Sequence, residues 1–368
     1  MSPEYKASSF SAVMSHPLRE YYASRLSLMA HSLSLMPRQA SERWLDRVGG
    51  PAAAALPLSM VTAGVNRPSW HYLDRHGKML RPLICCILLE ALGKKPEDFR
   101  ALLGMIELME GATISFDDIV DGSPLRRGGC ATHEKYGVPV AYAASQALYN
   151  QAWRVLFDGS LPIPKESRLE ILDTLAREIF AYGFGQCEEL DWSRKRKIVS
   201  EEQYLQMTYN RVVFLSFNGP VRIGALLGGC RGPRLKKMVE FSTWLGMAYH
   251  LHGDELNLFP RSGDWGKAAA DDIPSGRVTL LFLHAYRHTR GPARRALTKP
   301  FGKSRASSRE ISAAVRIIRD SGAVERNRMY IERFRRRALR RLDGAGLPGR
   351  WRGLLADCLE FMSRSRPL

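Results

Sequence analysis

The sequence predicts an all-α protein, a large bundle of about ten or more helices around a shared apolar interior. Three observations predict it. Apolar residues recur at three- and four-residue spacing over long stretches. Period-two strand patterns are nearly absent, and no internal repeat divides the chain. Of the 368 residues, 45% are hydrophobic and 25% charged, which suits one large core and excludes wholesale disorder.

Residues 1–20 read as a flexible N-terminal arm and 21–368 as a single all-α domain. Residues 21–75 carry helical pieces broken at Gly49-Gly50-Pro51, Pro57 and Pro68. Helical periodicity runs through 78–93 and again from about Phe99 to Val120. A polar loop, Asp121 to Gly129, follows with Pro124 and glycines. The spacing predicts further helices over 139–156, 165–190, 199–228, 234–259 and 277–290, a loop over 291–308, and helices over 309–341 and 351–364.

The apolar runs fall far short of the roughly 20 residues that span a bilayer. The N-terminus lacks an apolar core with a small-residue cleavage site, so no signal peptide is expected. Six cysteines have no metal-site spacing and read as free thiols of a cytoplasmic protein. The net charge is +18, and from residue 285 onward 22 Lys/Arg face 7 Asp/Glu, so +15 of it is C-terminal. Arg326 to Arg341 reads as a basic helix with Tyr330, Phe334, Ala338 and Leu342 as its apolar stripe. It suits a solvated docked helix or transient contact with a membrane surface. No zinc finger, phosphate loop or aromatic RNA-binding pair accompanies it, so nucleic acid is not expected as a partner.

The sharpest local feature is Asp117-Asp118-Ile-Val-Asp121 at the end of an apolar helix. Asp117 and Asp121 lie one turn apart on one face. Carboxylates this close repel unless a cation sits between them, and hard oxygen donors suit Mg2+ with phosphate oxygens. A solvated acidic helix end would leave the same trace. Arg126, Arg127, Lys78 and Arg81 lie nearby in sequence, the cations expected beside a diphosphate. A second cluster holds two one-turn pairs, His250 with Asp254 and Gly253 with Asn257, followed by Lys267, Asp271, Asp272 and Arg277. The histidines lie on different faces with no cysteine near, which disfavours zinc. These groups suit ionisation of an allylic diphosphate, with the cation formed inside an apolar cavity. No Ser–His–Asp or Cys–His signature competes.

From about Gly77 to Arg364 the chain resembles the trans-isoprenyl diphosphate synthase (polyprenyl synthetase) family. The resemblance is carried by Gly77-Lys78 with Arg81-Pro82, by Asp117-Asp118-x-x-Asp121 with Arg126-Arg127-Gly128, and by Gly185-Gln186. Gly266-Lys267, Asp272 and Gly276-Arg277-Val278-Thr279 complete it. It implies the isoprenoid synthase fold, a homodimer, prenyl diphosphate substrates, Mg2+ in up to three ions with bound diphosphate, and head-to-tail joining of isopentenyl diphosphate to an allylic diphosphate. By the resemblance Asp117 and Asp121 hold the metal, with Asp118 in the same motif and Asp254 in the second acidic cluster. Arg126, Lys267 and Arg211 assist the allylic diphosphate, and Lys78, Arg81 and Arg127 hold isopentenyl diphosphate. Gln186 and His250 line the reacting region, with Asp272 and Arg277 beyond it. Ala112 and Thr113, small residues before the first motif, imply a deep pocket and a product of geranylgeranyl length or longer.

The chain departs from the family at several positions. Glu110 stands where His or Gln faces isopentenyl diphosphate, and would repel it unless protonated or ion-paired. Gly253 and Asn257 replace the first and last acids of the second aspartate-rich motif, Arg211 a usual Lys, His250 a usual Gln and Val212 a common Thr. Three readings follow: an elongating prenyltransferase, a class I terpene cyclase on the same fold, and a non-catalytic subunit of a heteromeric synthase.

Overall fold

In the computed structural model, which describes residues 13–75, 77–159, 161–260, 269–303 and 305–365, helix follows helix. The first are α1 (His16–Ser32), α2 (Glu42–Ala54), α3 (Leu58–Val61), α4 (Arg67–Leu73), α5 (Leu80–Ala91) and α6 (Arg100–Asp121). Next come α7 (Thr132–Tyr136), α8 (Val138–Leu156), α9 (Lys165–Lys195), α10 (Glu201–Thr208), α11 (Gly219–Leu227) and α12 (Gly232–Leu258). The chain closes with α13 (Asp272–Ser275), α14 (Leu280–His288), α15 (Gly291–Thr298), α16 (Ser308–Asp320), α17 (Ala323–Asp343) and α18 (Gly349–Glu360). A wide-turned π segment, Tyr209–Asn218, joins α10 to α11 without a loop. Strands β1 (Leu125–Arg126) and β2 (Gly129–Cys130) pair antiparallel after α6, with Leu125 opposite Cys130.

A helix apolar on every side belongs inside a bundle. Helix α5 is such a helix: Leu83, Ile84, Cys85, Cys86, Ile87, Leu88 and Leu89 are all buried. Its neighbours are α1, α6, α11 and α18. Each of its leucines and isoleucines contributes about 1.5–3 kcal/mol by leaving water. Its one deep acid, Glu90, is paired with Arg25 and Tyr21 of α1. Where α1 crosses α6, a side chain at Gly104 would meet the Ser32 carbonyl oxygen at 2.3 Å, so only glycine permits that approach. No described helix is long and apolar enough to cross a membrane.

Several boundaries move from their expected places. The arm ends earlier than residue 20, because Ser15 caps α1 and Leu18 is fully buried; residues 1–12 lie outside the described ones. The loop expected over 291–308 contains α15, a short helix opened by Gly291-Pro292 and anchored by the buried Leu297. The helix expected over 309–341 is two, parted at Ser321-Gly322, where Gly322 takes φ 78. The loop after α6 is tightened by the small hairpin. All six cysteines are free.

Candidate active site

Helix α6 ends in acids because Gly122, at φ 60, turns the chain sharply and its amide and that of Ser123 cap the Ile119 and Asp118 carbonyls. Acids at a helix C-terminus face the negative end of its dipole, so they need cations from elsewhere. Three arginines supply them. Arg211, on the π segment, sets Nη2 2.5 Å from Asp117 Oδ1. Arg277, between α13 and α14, ion-pairs with Asp121. Arg126, on β1, donates from Nε to Asp118 at 2.8 Å.

The first two pairs share one buried network. Arg211 also donates from Nε to Gln186 Oε1 at 2.7 Å, and its Nη1 lies 2.7 Å from Glu189 Oε2. Arg277 lies 3.9 Å from the same Glu189 oxygen and 3.8 Å from Asp272. Gln186 and Glu189 sit one turn apart on α9. The approach of α9 to the π segment rests on Gly185, where a Cβ would come within 2.7 Å of the Arg211 backbone nitrogen. Two guanidiniums thus stand among Asp117, Asp121, Glu189 and Asp272. Burial raises Asp121 above the ordinary carboxylate range, Arg277 pulls it back, and the neighbouring Asp117 raises it again.

On helix α12, burial lifts Asp254 to about 7, with Glu189 raising it and Arg277 and Arg211 lowering it. Its Oδ2 accepts from Tyr204, and its Oδ1 is 3.6 Å from His250 Nε2. Burial likewise lifts Asp272 to about 8. Asn257 donates to Asp271. The acidic excess and these raised values are what a divalent cation would relieve, so Asp117 and Asp121 fit a metal bridged to an anion. Asp254, the third residue expected at the metal, stands on α12. Among the described residues no three His, Cys, Asp or Glu form a metal cluster; Gly253 and Asn257 stand where two acids would, Asp254 is held by Tyr204 and His250, and its neighbour Glu255 by Arg328.

The cations expected to hold a second diphosphate are differently engaged. Arg81 places Nη2 2.7 Å from the buried Glu110 and donates from Nε to the Ser216 carbonyl at 3.1 Å, while Ser216 Oγ reaches Glu110 at 3.4 Å. Glu110 is therefore ion-paired. Arg127, at φ 51, lies over the Tyr72 ring at 4.3 Å and packs on Gly77. Lys78 is half-buried beside it. Asp118 departs from its motif neighbours: it is buried, turned toward Arg126, and acts as the anchor of the hairpin. Arg126 is correspondingly engaged with Asp118. Lys267 lies outside the described residues. Ala112 is fully buried, and Thr113 is half-buried with its hydroxyl on the Met109 carbonyl. Beside them Phe116 meets Tyr142 and Tyr149 of α8, ring centroids 5.7 and 6.5 Å away, and Tyr149 meets Trp153 at 6.1 Å.

Sequence reasoning missed Glu189, Tyr204, Ser216 and this aromatic ladder. Glu189 was within reach, one turn after Gln186 on the same helix face. The others are long-range pairings that no local spacing marks.

Comparison with known proteins gives the family and the fold. The model of the polyprenyl synthetase family matches residues 62–318. A geranylgeranyl pyrophosphate synthase of Geoglobus acetivorans is 31% identical over 276 residues, 73% of this chain and 82% of that one. Among solved structures, a polyprenyl synthase of Caulobacter crescentus complexed with calcium and isoprenyl diphosphate superposes with a TM-score of 0.79 at 23% identity, covering 95% and 98% of the two chains. A geranylgeranyl pyrophosphate synthase of Corynebacterium glutamicum complexed with isoprenyl diphosphate and magnesium gives 0.79 at 21% identity, over 94% and 99%.

Proposed function

This chain belongs to the polyprenyl synthetase family, enzymes of prenyl transfer, and on that premise we propose that it joins isopentenyl diphosphate head-to-tail to an allylic prenyl diphosphate, giving geranylgeranyl diphosphate or a longer product. The observation that carries the reading is the acid pair of α6 facing Arg211 and Arg277 across a buried network.

Asp117 and Asp121 would hold Mg2+ with the allylic diphosphate, as the Caulobacter and Corynebacterium proteins hold calcium or magnesium with isoprenyl diphosphate. When bound, the metal supplies charge stabilisation to the departing diphosphate. Arg211 and Arg277 can pass from carboxylate to phosphate oxygens, and Gln186 with Glu189 keeps Arg211 aimed at that place. Phe116, Tyr149 and Trp153 offer ring faces to a carbocation and exclude water from it. The absence of bulk at Ala112 and Thr113 supports a long product, with the α8 rings as the outer wall.

A second reading, a cyclase that ionises a long allylic diphosphate without isopentenyl diphosphate, is favoured by the Arg81–Glu110 pair. That pair neutralises a cation expected at the second diphosphate. The deciding experiment incubates purified protein and Mg2+ with allylic diphosphates of several lengths, with and without isopentenyl diphosphate, and identifies every product. The proposal expects a longer diphosphate only when isopentenyl diphosphate is present. A hydrocarbon or alcohol formed from the allylic diphosphate alone would replace it with the cyclase. In either case Asp117→Asn and Asp121→Asn should lose about 10²–10³-fold or more in turnover.

A further inference from the structure

The basic C-terminal helix has no part in the chemistry above. Helices α12 and α17 pack antiparallel, Arg234 reaching the Ala345 carbonyl at one end and Glu255 meeting Arg328 at the other. Between them opens a cavity of about 430 Å3 lined by Trp244, Arg337, Arg340 and Arg341. Trp244 precedes Asp254 by ten residues, which places the cavity ~15 Å along α12 from the active site. The indole is fixed by stacking on Phe334, centroids 5.5 Å apart, and carries the Arg337 guanidinium 4.7 Å above its ring.

The charges here are unbalanced. Arg341 has a carboxylate, Glu240, at 2.9 Å. Among the described residues Arg337 and Arg340 have none. Burial and repulsion from Arg333 and Arg340 both work against the charge on Arg337. Three guanidiniums around one concavity with a single carboxylate form a donor set matched to a tetrahedral, multiply charged oxyanion. A flanking indole suits a group that arrives at an interface. We propose that this cavity binds a phosphate group, presented by an anionic phospholipid headgroup or free in solution.

Two probes separate the sources. The full chain is sedimented with vesicles of phosphatidylcholine alone and of phosphatidylcholine with phosphatidylglycerol. Separately, inorganic diphosphate is titrated in EDTA at constant ionic strength while tryptophan fluorescence is followed. The comparison protein carries Arg337→Gln with Arg340→Gln, which keeps the Arg341–Glu240 pair; its melting temperature verifies folding. Binding in one or both arms should fall about 30-fold in that variant, at ~1 kcal/mol for each cation removed, with solution prenyl transfer unchanged. Capture only by the anionic vesicles assigns a lipid headgroup, and a response only to diphosphate assigns a soluble phosphate. Absence of both responses, or equal responses in parent and variant, overturns the proposal.

Discussion

At the scale of single residues, the site is a set of charges held in place by exchangeable partners. Glu110 shows this best. Replacing it with Gln frees Arg81 for a phosphate but leaves a cation unpaired. Removing one partner of a buried pair costs about 3–5 kcal/mol, and because Arg81 retains a fifth of its side-chain surface in solvent, about 2–3 kcal/mol is expected by denaturant unfolding. The same variant should raise the use of isopentenyl diphosphate; unchanged use would show that Arg81 does not serve that substrate. Asp254 makes a pH prediction. Its folded value, about 7, lies above its unfolded value, so the native state holds the extra proton between the two. Stability from this group is therefore greatest at low pH and is lost as pH rises from the usual carboxylate range through about 7. Asp254→Asn should flatten the fall of melting temperature across that window. The acids 117 and 121 were legible in the sequence because helical spacing alone puts them on one face. Tyr204 and Ser216 were not, because their partners lie 50 and 106 residues away.

At the scale of elements, the order of the long helices was legible, whereas helix breaks and the short helices α7, α13 and α15 were not. Apolar periodicity runs unbroken across Ser321-Gly322 and across 199–228, yet the first is a turn and the second contains a π segment. Both are decided by contacts with other helices, to which periodicity is blind. That π segment positions Arg211, and Gly185 on α9 lets it approach. Gly185→Ala should therefore cost about 1–3 kcal/mol through overpacking. It should also reduce turnover by displacing Arg211 from Asp117, which thermal melts and single-turnover assays would register together. A variant with full activity would mean that α9 can retreat without moving Arg211.

At the scale of the whole molecule, the outer faces of α8 and α9 carry large apolar groups in water: Tyr142, Phe157, Leu169, Phe180 and Phe184 are each more than half exposed. Phe180 and Phe184 are one turn apart and stack edge-on at 4.8 Å. An apolar patch of this kind marks an interface, and a second copy of this chain is the occupant that the family resemblance implies. Sedimentation should give twice the 41.5 kDa chain mass, and Phe184→Glu should return it to one; a monomeric parent protein would refute this. The all-α architecture was readable from composition and period, whereas this patch was not, since an exposed phenylalanine and a core one look alike along a chain.

The pairing of Asp117 with Arg211 and Asp121 with Arg277 carries a last consequence. In the resting molecule Asp117 and Asp121 each already hold a guanidinium, so a metal or a diphosphate must displace an ion pair to bind. Metal alone would strand two guanidiniums, and diphosphate alone would strand the acids. Arriving together, they would trade partners, the metal taking the acids and the diphosphate the guanidiniums. Each should therefore tighten the other's hold by the same factor, and the enzyme commits only when the pair is complete.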